Sequence, residues 1–132
     1  MSRIARKLIL AGSILILPSA AMAADGNAEA GAKVFNKCAV CHSIKDTAKK
    51  VGPTLNGVVG RTAGTLEGFR YSKAMVDAGQ GGLVWTEADL AEYVTAPKTK
   101  VPGNAMAFGG LKDPQDVADV VAYIKTFSPA AQ

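Results

Sequence analysis

Residues 38–42 read Cys38-Ala39-Val40-Cys41-His42, and the chain contains no other cysteine or histidine. Several chemistries use part of such a string. A Cys38–Cys41 disulfide would use the thiols alone. A zinc site wants about four ligands, and the string supplies three. A thioredoxin-like CxxC belongs beside a βαβ pattern, and none is visible. One chemistry uses all of it, because C-x-x-C-H is the attachment motif for c-type haem. Two thiols add across the two vinyl groups of the porphyrin, and the adjoining His42 is then held beneath the iron. Tethering the ligand beside both anchors makes its return after dissociation nearly intramolecular.

The N-terminal stretch is consistent with that chemistry. Arg3, Arg6 and Lys7 precede an uncharged apolar run from Leu8 to Leu17, Pro18 breaks it, and Ala21-Met22-Ala23 gives a small-x-small pattern. This is the anatomy of a secretory signal, so residues 1–23 are expected to leave after Ala23 and residues 24–132 to form one exported, periplasmic domain. The competing reading is a retained anchor, but a spanning helix needs about 20 mainly apolar residues and Pro18-Ser19 interrupt this one. An oxidising compartment also suits cysteines committed to a covalent linkage.

The chain of 132 residues carries 15 basic and 11 acidic side chains, a net charge of +4. That balance alone invites a nucleic-acid partner. The leader takes three basic residues and no acidic one, leaving 12 against 11. The global argument for nucleic acid then disappears, although a local basic patch survives it.

Counting narrows the second axial ligand. With one histidine, bis-histidine ligation within the chain is excluded. Of the methionines, Met1 and Met22 lie in the leader, Met75 in the helical stretch Ser72–Ala78, and Met106 in the glycine-rich segment 102–110. A methionine on a short helix usually fills core. One offered by an irregular loop can reach over a porphyrin face, so Met106 is the expected sixth ligand. A His/Met pair raises the haem potential and leaves no open position for oxygen or peroxide. The expected task is one-electron carriage, with no small-molecule substrate and no catalysis. The rival is a haem enzyme, a peroxidase or gas-handling protein, whose distal site stays open.

The rest reads as helices and loops. Asn27 caps a helix expected over residues 28–38, and Ser72 caps a short second one. Thr86-Glu87-Ala88-Asp89 resembles a capping box, with Pro97 stopping the helix it opens. Asp113-Pro114-Gln115-Asp116 starts a last helix whose Val117, Val120, Val121 and Ile124 form one apolar stripe. Asp113, Asp116 and Asp119 read as capping and surface charges. Residues 45–68 hold five glycines and a proline, without periodicity.

The chain resembles the class I c-type cytochromes, bacterial cytochromes c2 and c-550 and mitochondrial cytochrome c. The motifs that carry the resemblance are Gly31-x-x-x-Phe35, Cys38-x-x-Cys41-His42, Gly52-Pro53-x-Leu55, Gly57-Val58-Val59-Gly60-Arg61, Phe69-x-Tyr71, Trp85, Tyr93, Pro97 and Pro102-Gly103-x-x-Met106. The resemblance implies an all-α, single-domain fold around one haem c attached through Cys38 and Cys41. It implies that the Pro53 carbonyl accepts from His42, that Arg61, Tyr71 and Trp85 donate to a buried propionate, and that Tyr93 lies near the Met106 sulfur. It also implies that Gly31 and Phe35 cross the last helix near Val120 and Tyr123. Lys37, Lys98, Lys100 and Lys112 would ring the exposed haem edge. There a monomeric carrier would meet membrane redox complexes, a quinol-oxidising donor and an oxidase or reaction-centre acceptor. Met75 and Asn104 depart from the asparagine and threonine common in mitochondrial members, which leaves the propionate hydrogen bonding open.

Overall fold

The structure, a computed structural model, describes residues 25–129. The leader and its cleavage after Ala23 lie outside the described residues. Among those residues there are helices α1 (Ala28–Val34), α2 (Asn36–Ala39), α3 (Lys73–Gln80), α4 (Glu87–Thr95), α5 (Pro97–Lys100) and α6 (Pro114–Lys125). No strand forms among them, and the one antiparallel bridge pairs Thr62 with Val84. The fold is all-α, as expected. No described helix is long and apolar enough to cross a membrane.

The caps explain where the helices start. Asn27, Ser72, Thr86 and Asp113 each accept a backbone N–H of the first turn, from Ala30, Met75, Asp89 and Gln115. Each satisfies a donor that the helix itself cannot. Pro97 does two things. It ends α4 and opens α5 at a first-turn position, where its missing N–H costs nothing.

The helix expected over residues 28–38 is divided at Phe35. Phe35 keeps right-handed helical angles (φ −59°, ψ −20°), but Cys38 N–H now bonds the Phe35 carbonyl at 2.8 Å. This three-residue tightening is common at helix ends.

The principal packing is α1 against α6. Gly31 permits it, since a Cβ there would overlap the Asp119 carbonyl oxygen and lie 2.8 Å from the Tyr123 Cβ. Phe35 packs on Tyr123 with ring centroids 5.4 Å apart, and Tyr123 on Phe127 at 5.1 Å. The Gly31 crossing is therefore to Asp119 and Tyr123, while Val120 lies in the core. Val117, Val120, Val121 and Ile124 are all buried, as the stripe requires.

Asp119 departs from the surface role expected of it. It is buried, and its Oδ1 accepts from the Asn27 N–H at 2.7 Å and the Gln115 Nε2 at 2.8 Å. The polar partners make its burial tolerable. They also tie the segment entering α1 onto α6.

Candidate haem site

The string Cys38–His42 coils through one turn. Cys41 N–H bonds the Cys38 carbonyl at 3.0 Å and His42 N–H bonds the same oxygen at 2.9 Å. Positions four apart share a face in such a turn, so Cys38 and His42 are neighbours. The two cysteines do not pair as a disulfide, and both are half-buried. Burial pushes the Cys38 thiol above its ordinary range, with Lys37 opposing in part.

His42 is oriented by the segment that returns beneath it. Its Nδ1 lies 2.7 Å from the Pro53 carbonyl oxygen, while Gly52 N–H bonds the Cys41 carbonyl at 2.8 Å. A carbonyl only accepts, so Nδ1 carries the proton and Nε2 keeps its lone pair. Burial lowers the imidazole pKa, the Pro53 bond raises it in part, and Lys50 lowers it further. The ring is thereby held neutral, in the tautomer a metal ligand needs. Gly52 leaves the ring its space, since a Cβ there would run into the imidazole.

A second group gathers Arg61, Tyr71, Trp85 and Tyr93. Arg61 and Trp85 are joined by the bond from Trp85 N–H to the Arg61 carbonyl at 2.9 Å. Trp85 is buried with its ring centroid 4.9 Å from that of Tyr93. The Arg61 guanidinium donates to the carbonyls of Thr54 (2.9 Å) and Asn56 (3.4 Å). Burial pulls its pKa down, Tyr71 opposing. Burial raises the Tyr71 phenol, with Arg61 and a Leu66 backbone bond opposing. Among the described residues Arg61 forms no ion pair with a carboxylate. A half-buried cation without a counter-charge suits a ligand that brings carboxylates of its own.

The donor set therefore fits haem c. Cys38 and Cys41 would hold it covalently and His42 Nε2 would ligate the iron. Arg61, Tyr71 and Trp85 would meet its propionates.

The two internal methionines separate clearly. Met75 is buried in the hydrophobic core on α3. Met106 is half-buried and stands outside that cluster. Its segment is shaped at both ends by glycines in the left-handed region, Gly103 (φ +84°) and Gly110 (φ +91°). A Cβ on Gly110 would also strike the Thr95 carbonyl. Between them, buried Asn104 donates to the carbonyls of Pro97 (2.9 Å) and Val101 (2.8 Å) and accepts the Met106 N–H at 2.9 Å. Asn104 thus organises the backbone that carries Met106.

The four lysines expected at the docking edge differ. Lys37 pairs with Asp116 at 3.3 Å, and the Lys112 ammonium donates to the Gly109 carbonyl at 3.0 Å. Lys98 donates to the Asn104 carbonyl at 2.6 Å. Lys100 meets two carboxylates, Asp89 at 2.7 Å and Glu92 at 2.6 Å, so its charge is largely compensated. Sequence reasoning missed an apolar component. Val40 is 79% exposed and Val51 83%. They flank the Cys41–Gly52 bond, and the Lys50 ammonium crosses from the same segment to the Ala39 carbonyl at 2.6 Å. The signal available in the sequence was Val40 itself, an apolar residue placed between the two cysteines.

Burial pushes the Tyr93 phenol up from 10.0 to about 12. The unfolded chain releases this proton near 10, so the unfolded state binds fewer protons between the two values. The stabilisation is complete below about pH 10 and is lost as pH rises through about 12. Tyr93→Phe is expected to flatten the alkaline stability loss in that window, read from urea midpoints at successive pH values.

A family model for cytochrome c matches residues 28–128. A cytochrome c2 of Blastochloris viridis is 49% identical over 124 residues, covering 93% of this chain and 94% of the relative. A cytochrome c-550 of Nitrobacter winogradskyi is 46% identical over 103 residues, with 77% and 92% covered. Among solved structures, cytochrome c2 of Rhodospirillum centenum aligns with a TM-score of 0.75 and 38% identity, covering 79% of this chain and all of the other. Cytochrome cH of Methylobacterium extorquens aligns at 0.69 with 45% identity, covering 76% and 99%.

Proposed function

The chain belongs to the cytochrome c family, and from that premise we propose that it shuttles single electrons in the periplasm between a quinol-oxidising complex and an oxidase or reaction-centre acceptor. It is an electron carrier with a covalently bound haem c. The proposed iron ligands are His42 and Met106, with Cys38 and Cys41 as the anchors.

The observation that carries the proposal is the His42–Pro53 contact beside Cys38 and Cys41, which do not pair as a disulfide. It fixes the tautomer of the ligand imidazole within one turn of both anchors, while burial keeps the ring neutral. When bound, haem c supplies a one-electron couple, and its potential is set by the axial ligands and by what surrounds it. The chain's own residues fix orientation and access. Pro53 and Gly52 keep the His42 ring in place. Arg61 offers positive charge to the propionates, which lowers the cost of burying them. His42 and Met106 together would leave the iron no open position for a substrate, which is the reason for reading the chain as a carrier and not an enzyme.

The encounter surface is proposed to combine charge with an apolar centre. Lys37, Lys98 and Lys112 steer an acidic partner, with Lys50 beside the valines. Exposed Val40 and Val51 give it a surface that can be desolvated on contact. Steering by a local patch operates even when net charge is small, and it weakens as salt shortens the screening length to about 8 Å at physiological ionic strength.

The test uses the protein exported by its host. Intact mass and the pyridine haemochrome spectrum are expected to show one haem per chain, retained in acidified acetone. Reduction by quinol-fed host membranes is expected to slow with salt. Reversing Lys98 and Lys112 together should slow it about tenfold at low salt and little at high salt. A colourless exported protein would refute the carrier reading. A reduction rate indifferent to both salt and charge reversal would refute the docking surface.

A further inference from the structure

Lys100 differs from the other lysines of the expected docking edge. Its side chain is only 21% exposed and reaches back from the last residue of α5 to two carboxylates on α4, Asp89 at 2.7 Å and Glu92 at 2.6 Å. Asp89 is itself fixed, because Thr86 Oγ1 donates to its Oδ2 and accepts its backbone N–H at 3.0 Å. Two ion pairs thus add to the apolar packing of Pro97 and Val101 along this seam. An open concavity of about 610 Å³ runs along it, lined by Ala91, Glu92, Thr95, Ala96, Thr99 and Lys100. Two carboxylates this close leave Lys100 little field to offer an approaching partner.

The segment beyond Lys100 gives the clamp its consequence. Val101 is buried and its N–H bonds the Pro97 carbonyl at 3.0 Å. The Asn104 side chain takes hold of Pro97 and Val101 and of the Met106 N–H. From the clamp to Met106 the backbone is thus held at successive points, all referred to the position of α5. If α5 swings away from α4, the frame that presents Met106 moves with it.

We propose that Lys100 is a positioning residue: by bridging Asp89 and Glu92 it locks α5 to α4 and so keeps Met106 presented to the iron. This rests on the reading of Met106 as the sixth ligand. The role is electrostatic and partly exposed, so its strength falls as salt rises. The sixth ligand therefore becomes easier to displace in concentrated salt, through a seam remote from His42.

The experiment titrates the ferric holoprotein with imidazole, which competes with the thioether for the iron, while the weak far-red sulfur-to-iron band is followed. At low salt Lys100→Gln is expected to bind imidazole about fivefold more tightly than wild type, the scale of a surface ion-pair network. Lys100→Arg should restore wild-type affinity. Raising salt to about 1 M, where the screening length is about 3 Å, should bring wild type toward the Lys100→Gln value and leave that variant little changed. Urea unfolding followed in parallel separates a local effect from a global one: an affinity change that merely tracks the fall in overall stability would overturn the proposal. So would equal imidazole affinity in wild type and Lys100→Gln. Slower reduction by membranes at low salt with unchanged imidazole affinity would return Lys100 to the docking surface. Failure of the underlying reading looks different, because the far-red band would then be absent from the wild type before any imidazole is added.

Discussion

Met106→Ala is expected to abolish the far-red sulfur-to-iron band and to lower the midpoint potential by roughly 0.2 V, a substantial part of the ~0.8 V range over which axial ligands set haem potentials. A thioether is a soft donor that favours the ferrous state, so its loss stabilises the ferric form. The variant should also bind cyanide or imidazole at the opened position, which the wild type resists. The fold should survive, because Met106 stands outside the buried core. Met75→Leu is the matching control. Met75 is 8% exposed within the core, so a change of similar volume there should cost less than about 1.5 kcal/mol and leave the band in place. Loss of the band in Met75→Leu and its retention in Met106→Ala would reverse the assignment of the sixth ligand.

Gly31→Ala is expected to destabilise the folded chain by about 2 kcal/mol, although two effects oppose each other. Alanine in place of glycine inside a helix gains about 1 kcal/mol in propensity. The new methyl, however, would fall on the Asp119 carbonyl and 2.8 Å from the Tyr123 Cβ. The carbonyl is backbone within α6 and cannot rotate aside, so the helices must separate. Overpacking of this kind costs about 1–3 kcal/mol and more where backbone must move. The separation also weakens the Phe35–Tyr123 contact and the Asn27–Asp119 bond. Domains of this size are stable by about 5–15 kcal/mol, so the loss is a large share. Urea unfolding measures it, and a stability equal to or above wild type would mean that α1 and α6 do not meet as described. Gly31→Val should lose more.

The features legible in the sequence are those set by local chemistry. Asn27, Ser72, Thr86 and Asp113 announce helix starts because a cap and its donor lie within three residues. Pro97 and the stripe ending at Ile124 are equally local. The proposed anchors and His42 are contiguous, and elimination among few methionines leaves Met106 as the candidate sixth ligand. What stayed hidden depends on distant pairs. Asp119 is charged, and nothing near it in the sequence shows that Asn27, 92 positions away, caps its burial. Lys100 resembles any exposed lysine until the fold returns it to Asp89, 11 positions back. The division at Phe35 is a local three-residue tightening at a helix end, which no residue type there marks in the sequence. The Val40–Val51 rim needs the Gly52–Cys41 bond to bring its halves together.

The seam between the first and last helices joins segments 92 residues apart, as the Asn27–Asp119 bond measures. Everything between them is one closed ring. The entropy of closing a ring grows only with the logarithm of its length, so about ten residues inserted at the exposed Gly81-Gly82 turn would cost on the order of 0.1 kcal/mol through closure alone. The architecture therefore accepts changes in chain length there almost freely while punishing a single added methyl at Gly31. Divergence within such a scaffold should accumulate as insertions along the ring, with its clasp left untouched.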